Sequence, residues 1–265
     1  MLSQKKNFMN LTNEQSQFAT LTVTVHQSGL YSTFQDKGRT GAQHVGIPFS
    51  GAMDKRAAIL ANQLVGNAND TPVIEQTLNG GVFHVDQACT IAITGADLGA
   101  TVNGKYVSRN QFIQVNRNST IAFAQPKDGC FGYLAIGGRW KVEKYMNSVS
   151  PLPASDILPQ HVLQKDFTFS IMLNDKPVSM VQDVDLPSKD KPLRLLQGIE
   201  WQQFTKKQKN QLLSQPFTLS TQCNRMGYRV NEVLADYDNQ MEMISSPVVP
   251  GTIQVTNEGK LIILM

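Results

Sequence analysis

Charge is scarce in this sequence of 265 residues. Asp, Glu, Lys and Arg together make up 17% of the chain and leave a formal net charge of +3. A typical soluble protein holds about 25% charged residues, whereas the hydrophobic share here, 41%, is large enough for a packed core. This composition excludes a disordered or highly charged chain. The densest basic run, 206–209, is too short for a nucleic-acid groove and is typical of the solvated face of a helix.

Cysteine and histidine are also few, and neither shows the spacing of metal ligands. The three cysteines stand far apart and form no CxxC pair, which favours reduced, buried thiols and a cytoplasmic protein. The histidines show no HxxxH or HxH pairing, so the sequence predicts no metal site. They are His26, His44, His84 and His161.

Long apolar runs and common nucleotide motifs are absent from the sequence. No stretch approaches the roughly 18 apolar residues of a transmembrane helix. Residues 1–20 are polar and lack the apolar region of a secretory signal, so we expect a disordered N-terminal extension. The chain has no Walker A motif, no GxGxxG fingerprint and no G-x-S-x-G elbow. A P-loop, a Rossmann site and a serine triad are therefore not predicted.

The most distinctive segment is the glycine-rich stretch 34–54, which combines four glycines with polar and apolar side chains. This mixture favours an ordered loop, and ordered long loops are often functional. We predict that Arg39, Gln43 and His44 bind an anion, because arginine forms bidentate pairs with carboxylate or phosphate. The alternative is an internal role, in which Arg39 pairs with Asp36 and His44 bonds a carbonyl.

The loop leads directly into a predicted helix over 55–65. Asp54 is the expected N-cap, and Gly66 is the expected left-handed residue at the C-terminal end. Ser50 and Gly51 would place a hydroxyl and free N–H groups just ahead of this helix. Such an arrangement is favourable for an anion.

Five further polar residues are candidates for the site. Glu75 lies in an apolar strand and either faces outward or serves as a cleft carboxylate. Asn62 either caps the helix end or contacts substrate. Arg225, Tyr228 and Arg229 either grip a phosphate or carboxylate or are ordinary surface side chains.

Short β-prone segments recur about every ten residues with turn signals between them, which predicts a barrel or sandwich. The strongest turn is Asn103-Gly104, and Thr205-x-x-Gln208 is a capping box that opens a helix ending near 213. Turns or loops are also predicted at 94–97 and 222–229. The predicted strands are 21–25, 31–34, 73–78, 82–85, 89–93, 101–102, 111–115, 120–123, 131–136, 167–172, 193–196, 217–220, 242–244, 252–255 and 260–265.

The predicted domain organisation has three parts. After the extension 1–20, a β-rich lobe over 21–140 carries the loop and the main helix, and a second lobe covers 141–265. The proline-bearing stretch 174–191 is the best linker candidate. One continuous domain is the alternative.

Seven segments, in order, resemble the allophanate hydrolase subunit 2, or biotin-dependent carboxyltransferase-like, family. That family includes the C component of ATP-dependent 5-oxoprolinase, the antagonist of a sporulation-kinase inhibitor, and the matching lobe of urea carboxylase. The resemblance covers about 21–265 and implies a mainly β fold with a few short helices, built from a cyclophilin-like β-barrel and a smaller β-rich lobe. The segments are 34–54, 61–67, 74–77, 93–98, 133–138, 224–229 and 251–255.

The resemblance also implies a reaction and partners. The site would lie in a cleft shared with a subunit 1 protein, which is similar to the B component of 5-oxoprolinase, in a complex that includes the A component of that enzyme. The implied reaction is ATP-driven opening of the lactam of 5-oxo-L-proline to L-glutamate, with ATP bound by the complex. Catalytic roles would fall to Arg39, His44 and Glu75. The substrate or anion would be bound by Gln43, Ser50, Gly51, Asn62, Arg225, Tyr228 and Arg229.

Two other functions of the family remain open. One is a non-catalytic regulator that binds a kinase-inhibitor protein, and the other is the carboxyltransferase lobe of a urea-carboxylase or allophanate system. The chain has no Met-Lys biotin-carrier motif, so any biotin would come from another protein.

The sequence departs from the family pattern in two places, and these departures would affect catalytic activity more than the fold. The sequence stops at Met265, where family members usually continue into an Asp-x-x-Thr-Thr-Gly-Gly-Tyr segment. Residues 147–150 read Asn-Ser-Val-Ser where the family tends to have Gly-Ser-Arg-Ser-Thr. An arginine of the family is therefore missing from this chain.

Overall fold

The computed structural model describes residues 19–152, 157–173, 192–238 and 248–265. The chain forms two compact units, Met1–Asp185 and Leu186–Met265, whereas the sequence placed the boundary at 140/141. The predicted linker 174–191 and the predicted strand 242–244 lie outside the described residues.

The described part of the first unit contains twelve strands and one α-helix. The helix α1 is Lys55–Leu64, and two short 3-10 turns cover Gln43–Val45 and Pro159–His161. The strands are β1 Thr20–Gln27, β2 Tyr31–Gln35, β3 Val73–Thr77, β4 Val82–Val85, β5 Cys89–Asp97, β6 Thr101–Val102, β7 Lys105–Tyr106, β8 Phe112–Val115, β9 Ser119–Ala122, β10 Asp128–Ile136, β11 Arg139–Lys141 and β12 Thr168–Met172.

These strands form two open antiparallel sheets around one core. The seven-stranded sheet has the order β11-β12-β1-β4-β9-β6-β7, and the five-stranded sheet has the order β2-β3-β10-β5-β8. Because β11 and β12 extend the sheet of β1, residues after 140 belong to the first unit. Alternate residues of β1 point inward, as the burial of Leu21, Val23 and Val25 shows. Phe34 lies among the aromatic side chains of this core.

Helix α1 packs on the other face of the five-stranded sheet. Its apolar stripe includes Ala57, Ala61 and Leu64, which share a core cluster with side chains of β3, β5 and β10. The Asp54 carboxylate accepts a hydrogen bond from Ala57 N at 3.0 Å, and Gly66 has a φ of 68°. Both predicted ends of the helix are confirmed.

The described part of the second unit is smaller. It contains α2 Lys206–Ser214, a 3-10 turn Ile199–Gln203, and the strands β13 Gly227–Val233, β14 Ile253–Val255 and β15 Lys260–Leu264. The strands form a sheet in the order β13-β15-β14. Its core is centred on Val230, Leu234 and Leu261. The predicted capping box is confirmed, since Thr205 and Gln208 exchange both of its hydrogen bonds.

The predicted fold class, mainly β with a few short helices, is confirmed, although the described strands form open sheets and not a closed ring. Asn103 and Gly104 both have positive φ, as a tight hairpin turn requires. The predicted strand 193–196 is wrong, because no strand forms there and Leu193 and Leu196 are more than 90% exposed.

Three other local predictions are also wrong. The stretch 217–220 makes an isolated bridge between Leu219 and Val230 in place of a strand. The predicted turn 94–97 lies inside β5, because Gly95 takes a φ of 77° and the strand continues past it. The predicted loop 222–229 ends at Gly227, where β13 begins. In the part of the chain that the structure describes, no helix has the length and apolarity needed to cross a membrane.

Candidate functional site

The glycine-rich loop 34–54 is closed at its neck by backbone hydrogen bonds. Arg39 N donates to Phe49 O at 2.8 Å, and Ala52 N donates to Asp36 O at 2.9 Å. The two stems lie so close that a Cβ on Gly38 would lie 2.6 Å from Phe49 O. The backbones of the two stems are therefore in direct contact at the neck, which leaves no room for a side chain and explains why residue 38 is glycine.

Replacing Gly38 with alanine is expected to destabilise the first unit by about 1–2 kcal/mol more than replacing Gly41. The two glycines have nearly the same φ, 85° and 84°, so the backbone strain of a side chain is matched. Only at Gly38 would the new Cβ meet backbone atoms, because nothing lies within 4 Å at Gly41. Urea unfolding of both variants measures the difference. Equal losses would show that the neck is not tightly packed.

Asp36 anchors the loop from inside the protein. Its carboxylate accepts hydrogen bonds from Gly38 N (2.8 Å), Ser148 Oγ (2.7 Å), Val149 N (2.8 Å) and Ser150 Oγ (3.1 Å). The side chain is 5% exposed. Residues 148–150, where the chain departs from the family pattern, therefore form the wall to which the loop is attached. Val149 fills a fully buried position there.

Arg39 lies in the interior of the first unit. The residue is 2% exposed, and its guanidinium donates from Nη1 to Ser50 Oγ at 3.1 Å and from Nη2 to the Ser150 carbonyl. Its Nε has no hydrogen-bond partner within the described residues. Burial lowers the pKa of Arg39, although the charge of Asp36 opposes this shift. Arg39 thus ties both stems of the loop together, and its predicted contact with an anion remains a prediction.

Glu75 lies beneath the start of α1. It is 1% exposed, so the outward-facing alternative is wrong. Glu75 Oε2 accepts hydrogen bonds from Met53 N at 2.8 Å and from the Tyr133 hydroxyl at 2.8 Å. The Tyr133 oxygen in turn accepts from Asp54 N at 2.7 Å. Burial, reinforced by the charge of Glu75, raises the pKa of Tyr133 well above its usual value, so the hydroxyl stays protonated and donates.

Backbone N–H groups just ahead of α1 donate hydrogen bonds to other groups of the protein. The N–H groups of Ala52, Met53 and Asp54 already donate to a carbonyl, a carboxylate and a hydroxyl of the first unit. The buried Glu75 carboxylate thus takes the position that favours negative charge at a helix N-terminus. Ser50, predicted to contact the anion, accepts the hydrogen bond from Arg39. The N–H groups of Ala52, Met53 and Asp54 are therefore not free in this structure, whereas anion binding by Ser50 and Gly51 stays a prediction.

The tip of the loop is exposed to solvent. Gln43 and His44 form a 3-10 turn with Val45, which is 62% exposed, and Gly46 ends the turn with a φ of 81°. Among the site residues predicted in this loop, Gln43 and His44 are the two that are exposed. Gln43 and His44 are therefore exposed at the tip of a loop whose two stems are hydrogen-bonded to each other.

Asn62 stabilises the end of α1 and is 1% exposed. It donates from Nδ2 to Thr71 O at 2.7 Å and accepts from Asn67 Nδ2 at 3.2 Å. Asn67 also accepts from Gly138 N at 2.9 Å. These bonds fit the structural alternative for Asn62.

The three remaining predicted residues lie in the second unit. Arg225 is in the turn before β13, whereas Tyr228 and Arg229 are in the strand itself. Arg229 lines a polar pocket of about 760 Å³ together with Lys260 and Glu258, which form an ion pair at 3.3 Å. Arg225 and Tyr228 are not among the residues that line this pocket. The structure therefore does not gather the three side chains around it.

Several residues that hold the loop in place were missed from the sequence. No local sequence pattern identifies Ser148, Ser150 or Tyr133, because each bonds a residue far away along the chain. Tyr133 is 58 residues from Glu75, and the two serines are 112 and 114 residues from Asp36. His161 was also missed. Its Nδ1 lies 2.6 Å from Val149 O, and burial lowers its pKa.

The first unit thus has a β-rich fold with an exposed polar turn at the tip of a loop, and hydrogen bonds within the protein hold the base of that loop in place.

Residues 45–265 match the carboxyltransferase domain, subdomain A and B, and the chain belongs to this family. This match confirms the resemblance found in the sequence.

Three curated relatives are similar to this chain. The chain is 30% identical to the C component of 5-oxoprolinase from Escherichia coli (strain K12) over 245 residues, which cover 92% of this chain and 79% of that protein. It is also 30% identical to the same component from Haemophilus influenzae, over 88% of this chain and 76% of that protein. Urea amidolyase of Lachancea kluyveri is 42% identical over 129 residues, 48% of this chain and 7% of that protein.

Solved structures support the same architecture. TTHA0988 superposes with a TM-score of 0.77 at 26% identity, over 92% of this chain. The chain spans about half, 48%, of the length of that protein. Urea amidolyase of Kluyveromyces lactis superposes with a TM-score of 0.75 at 23% identity, over 92% of this chain and 16% of that one, a likeness of fold alone.

Proposed function

We propose that this chain is the C component of an ATP-dependent 5-oxoprolinase. The observation that carries the proposal is the 30% identity to the Escherichia coli protein of that name across 92% of this chain. The overall reaction is 5-oxo-L-proline + ATP + two water molecules to L-glutamate + ADP + phosphate. Activity requires the complex with a subunit 1 partner, similar to the B component of 5-oxoprolinase, and with the A component.

The chemistry of this reaction defines what the site must supply. The lactam is stabilised by amide resonance, so direct attack by water is slow. Transfer of the ATP γ-phosphoryl group to the lactam oxygen makes the ring carbon electrophilic. Water then adds to this carbon, and the C–N bond breaks to free the amine and leave an acyl phosphate. A second water molecule hydrolyses this acyl phosphate to the carboxylate of L-glutamate and phosphate. Each step develops negative charge on oxygen, which cations and hydrogen-bond donors stabilise.

The proposed roles of the residues follow from their burial. Gln43 and His44, on the exposed tip, contact the substrate or its phosphorylated form. Arg39 and Glu75 act from the interior and position the loop and the start of α1. Arg229 offers positive charge in the pocket of the second unit. ATP is a substrate of the complex in this proposal.

His44→Ala is expected to lower 5-oxoproline-dependent ATP hydrolysis by about a hundredfold, the lower end of the range for losing a group that acts in proton transfer. Its stability should not change, because His44 is exposed. The measurement is phosphate release by the reconstituted complex of this chain with both partners. Lys37→Ala is the matched control, since Lys37 is an exposed side chain of the same loop. Equal activity of the two variants would remove His44 from the site.

A second candidate function rests on the 42% identity to urea amidolyase over 129 residues. In that case the chain is a carboxyltransferase lobe that receives a carboxyl group from biotin on another protein. Urea-dependent loss of carboxyl from free carboxybiotin, measured with the purified chain and its partner, distinguishes this function. Tight binding of a kinase-inhibitor protein without either activity would instead indicate a regulator.

A further inference from the structure

Two histidines that are 58 residues apart in sequence become neighbours on the outer face of the seven-stranded sheet. Phe83 and Val85 of β4 point into the core, so His84 between them points outward. β1 pairs with β4, and its exposed His26 lies where the register shifts between Val25 and Gln27. Because the pairing is across strands, no spacing along the sequence reveals it.

The two rings are stacked, with nearly parallel planes. Their centroids are 5.5 Å apart, and the angle between the ring planes is 12°. Neither ring forms a hydrogen bond to the residues that the structure describes. Both imidazoles are therefore available for an external ligand at one place on the surface.

This separation suits a shared metal ion. Neutral imidazole is a common ligand of late first-row divalent metals, with metal–nitrogen bonds of about 2.0–2.1 Å. Two imidazoles bound to one tetrahedral ion at that distance have centroids roughly 5 Å apart. The observed separation of 5.5 Å is close to this value. Because a bound metal lies in the plane of each imidazole, the two stacked rings must turn toward each other for one nitrogen of each to bind the same ion.

We propose that His26 and His84 form a two-histidine site for a divalent ion of the Cu²⁺, Ni²⁺ and Zn²⁺ class. Within the described residues, no group of three or more His, Cys, Asp or Glu that could hold a metal ion is present. The pair therefore supplies two ligands and water completes the coordination. Such an ion links β1 to β4. Binding is strongest for Cu²⁺, which forms the most stable complexes of this series with nitrogen ligands.

The test is a calorimetric titration of the untagged full chain with Cu²⁺ at pH 7.5, which measures the affinity for the ion. One ion is expected at the pair, and either His26→Asn or His84→Asn should weaken its binding by about a hundredfold, because the loss of one ligand removes the gain from simultaneous attachment. His44→Asn is the matched control and should leave this binding unchanged, since His44 is exposed but stands alone.

Electron paramagnetic resonance of the unsubstituted chain with less than one equivalent of Cu²⁺ tests the site without any change to the fold. Hyperfine structure from two imidazole nitrogens, lost in either variant, is the expected result. The proposal is overturned if the spectrum shows a single imidazole nitrogen. It is also overturned if the affinity is the same in the two variants as in the unsubstituted chain.

Discussion

Replacing Asp36 with alanine is expected to lower the free energy of unfolding of the first unit by about 3–5 kcal/mol, the cost of breaking a buried charged network from one side. The carboxylate accepts four hydrogen bonds and is 5% exposed. Its loss leaves these donors without a partner and leaves the buried Arg39 without the nearby negative charge.

Urea unfolding followed by tryptophan fluorescence measures this effect. Trp140 is buried in the core of the first unit, and a Trp201→Phe background removes the signal of the second unit. Asp70→Ala is the control, because its ion pair with Lys37 spans 3.5 Å between exposed side chains and should contribute less than about 1 kcal/mol. Similar losses for Asp36→Ala and the control would contradict the anchoring role of Asp36.

Glu75→Ala should destabilise the first unit by about 3 kcal/mol, because it leaves two buried donors unsatisfied. Those donors are Met53 N and the Tyr133 hydroxyl, which hold the start of α1 on the five-stranded sheet. Glu75→Gln keeps an oxygen acceptor in the same place and should lose less. The exposed Glu143→Ala is the matched control for removing an acidic side chain from the same unit.

Amide hydrogen exchange locates the effect of Glu75→Ala along the chain. Exchange at Met53 and Asp54 should accelerate, while Arg39 N in the loop neck should stay protected by its bond to Phe49 O. Uniform acceleration across the loop would mean that Glu75 supports the whole unit instead of the start of α1. Unchanged exchange at Met53 would contradict the network altogether.

The local elements of the fold could be predicted because their signals are local. The Asp54 cap, the Asn103-Gly104 turn and the capping box at Thr205 each depend on a few adjacent residues. Leu193 and Leu196 show the limit of such signals. Their β-prone composition predicts a strand, yet no strand forms, because strand formation also requires a pairing partner.

The sequence identified the polar side chains of the candidate site, but it could not show which of them face inward. The sequence selected Arg39, Glu75 and His44 as polar groups of one region, and only His44 is exposed. Whether a polar side chain faces inward depends on partners far along the chain, as with Asp36 and Ser148, which are 112 residues apart. The functional interpretation therefore shifts from Arg39 to the exposed tip of the loop.

The most direct test of the proposed function is 5-oxoproline-dependent ATP hydrolysis by the reconstituted complex, measured with and without this chain. The C component of the Escherichia coli enzyme, assayed with its own partners, serves as the positive control. We expect phosphate release that requires 5-oxoproline, both partner proteins and this chain together. A complete and correctly assembled complex that hydrolyses no ATP in response to 5-oxoproline would contradict the assignment.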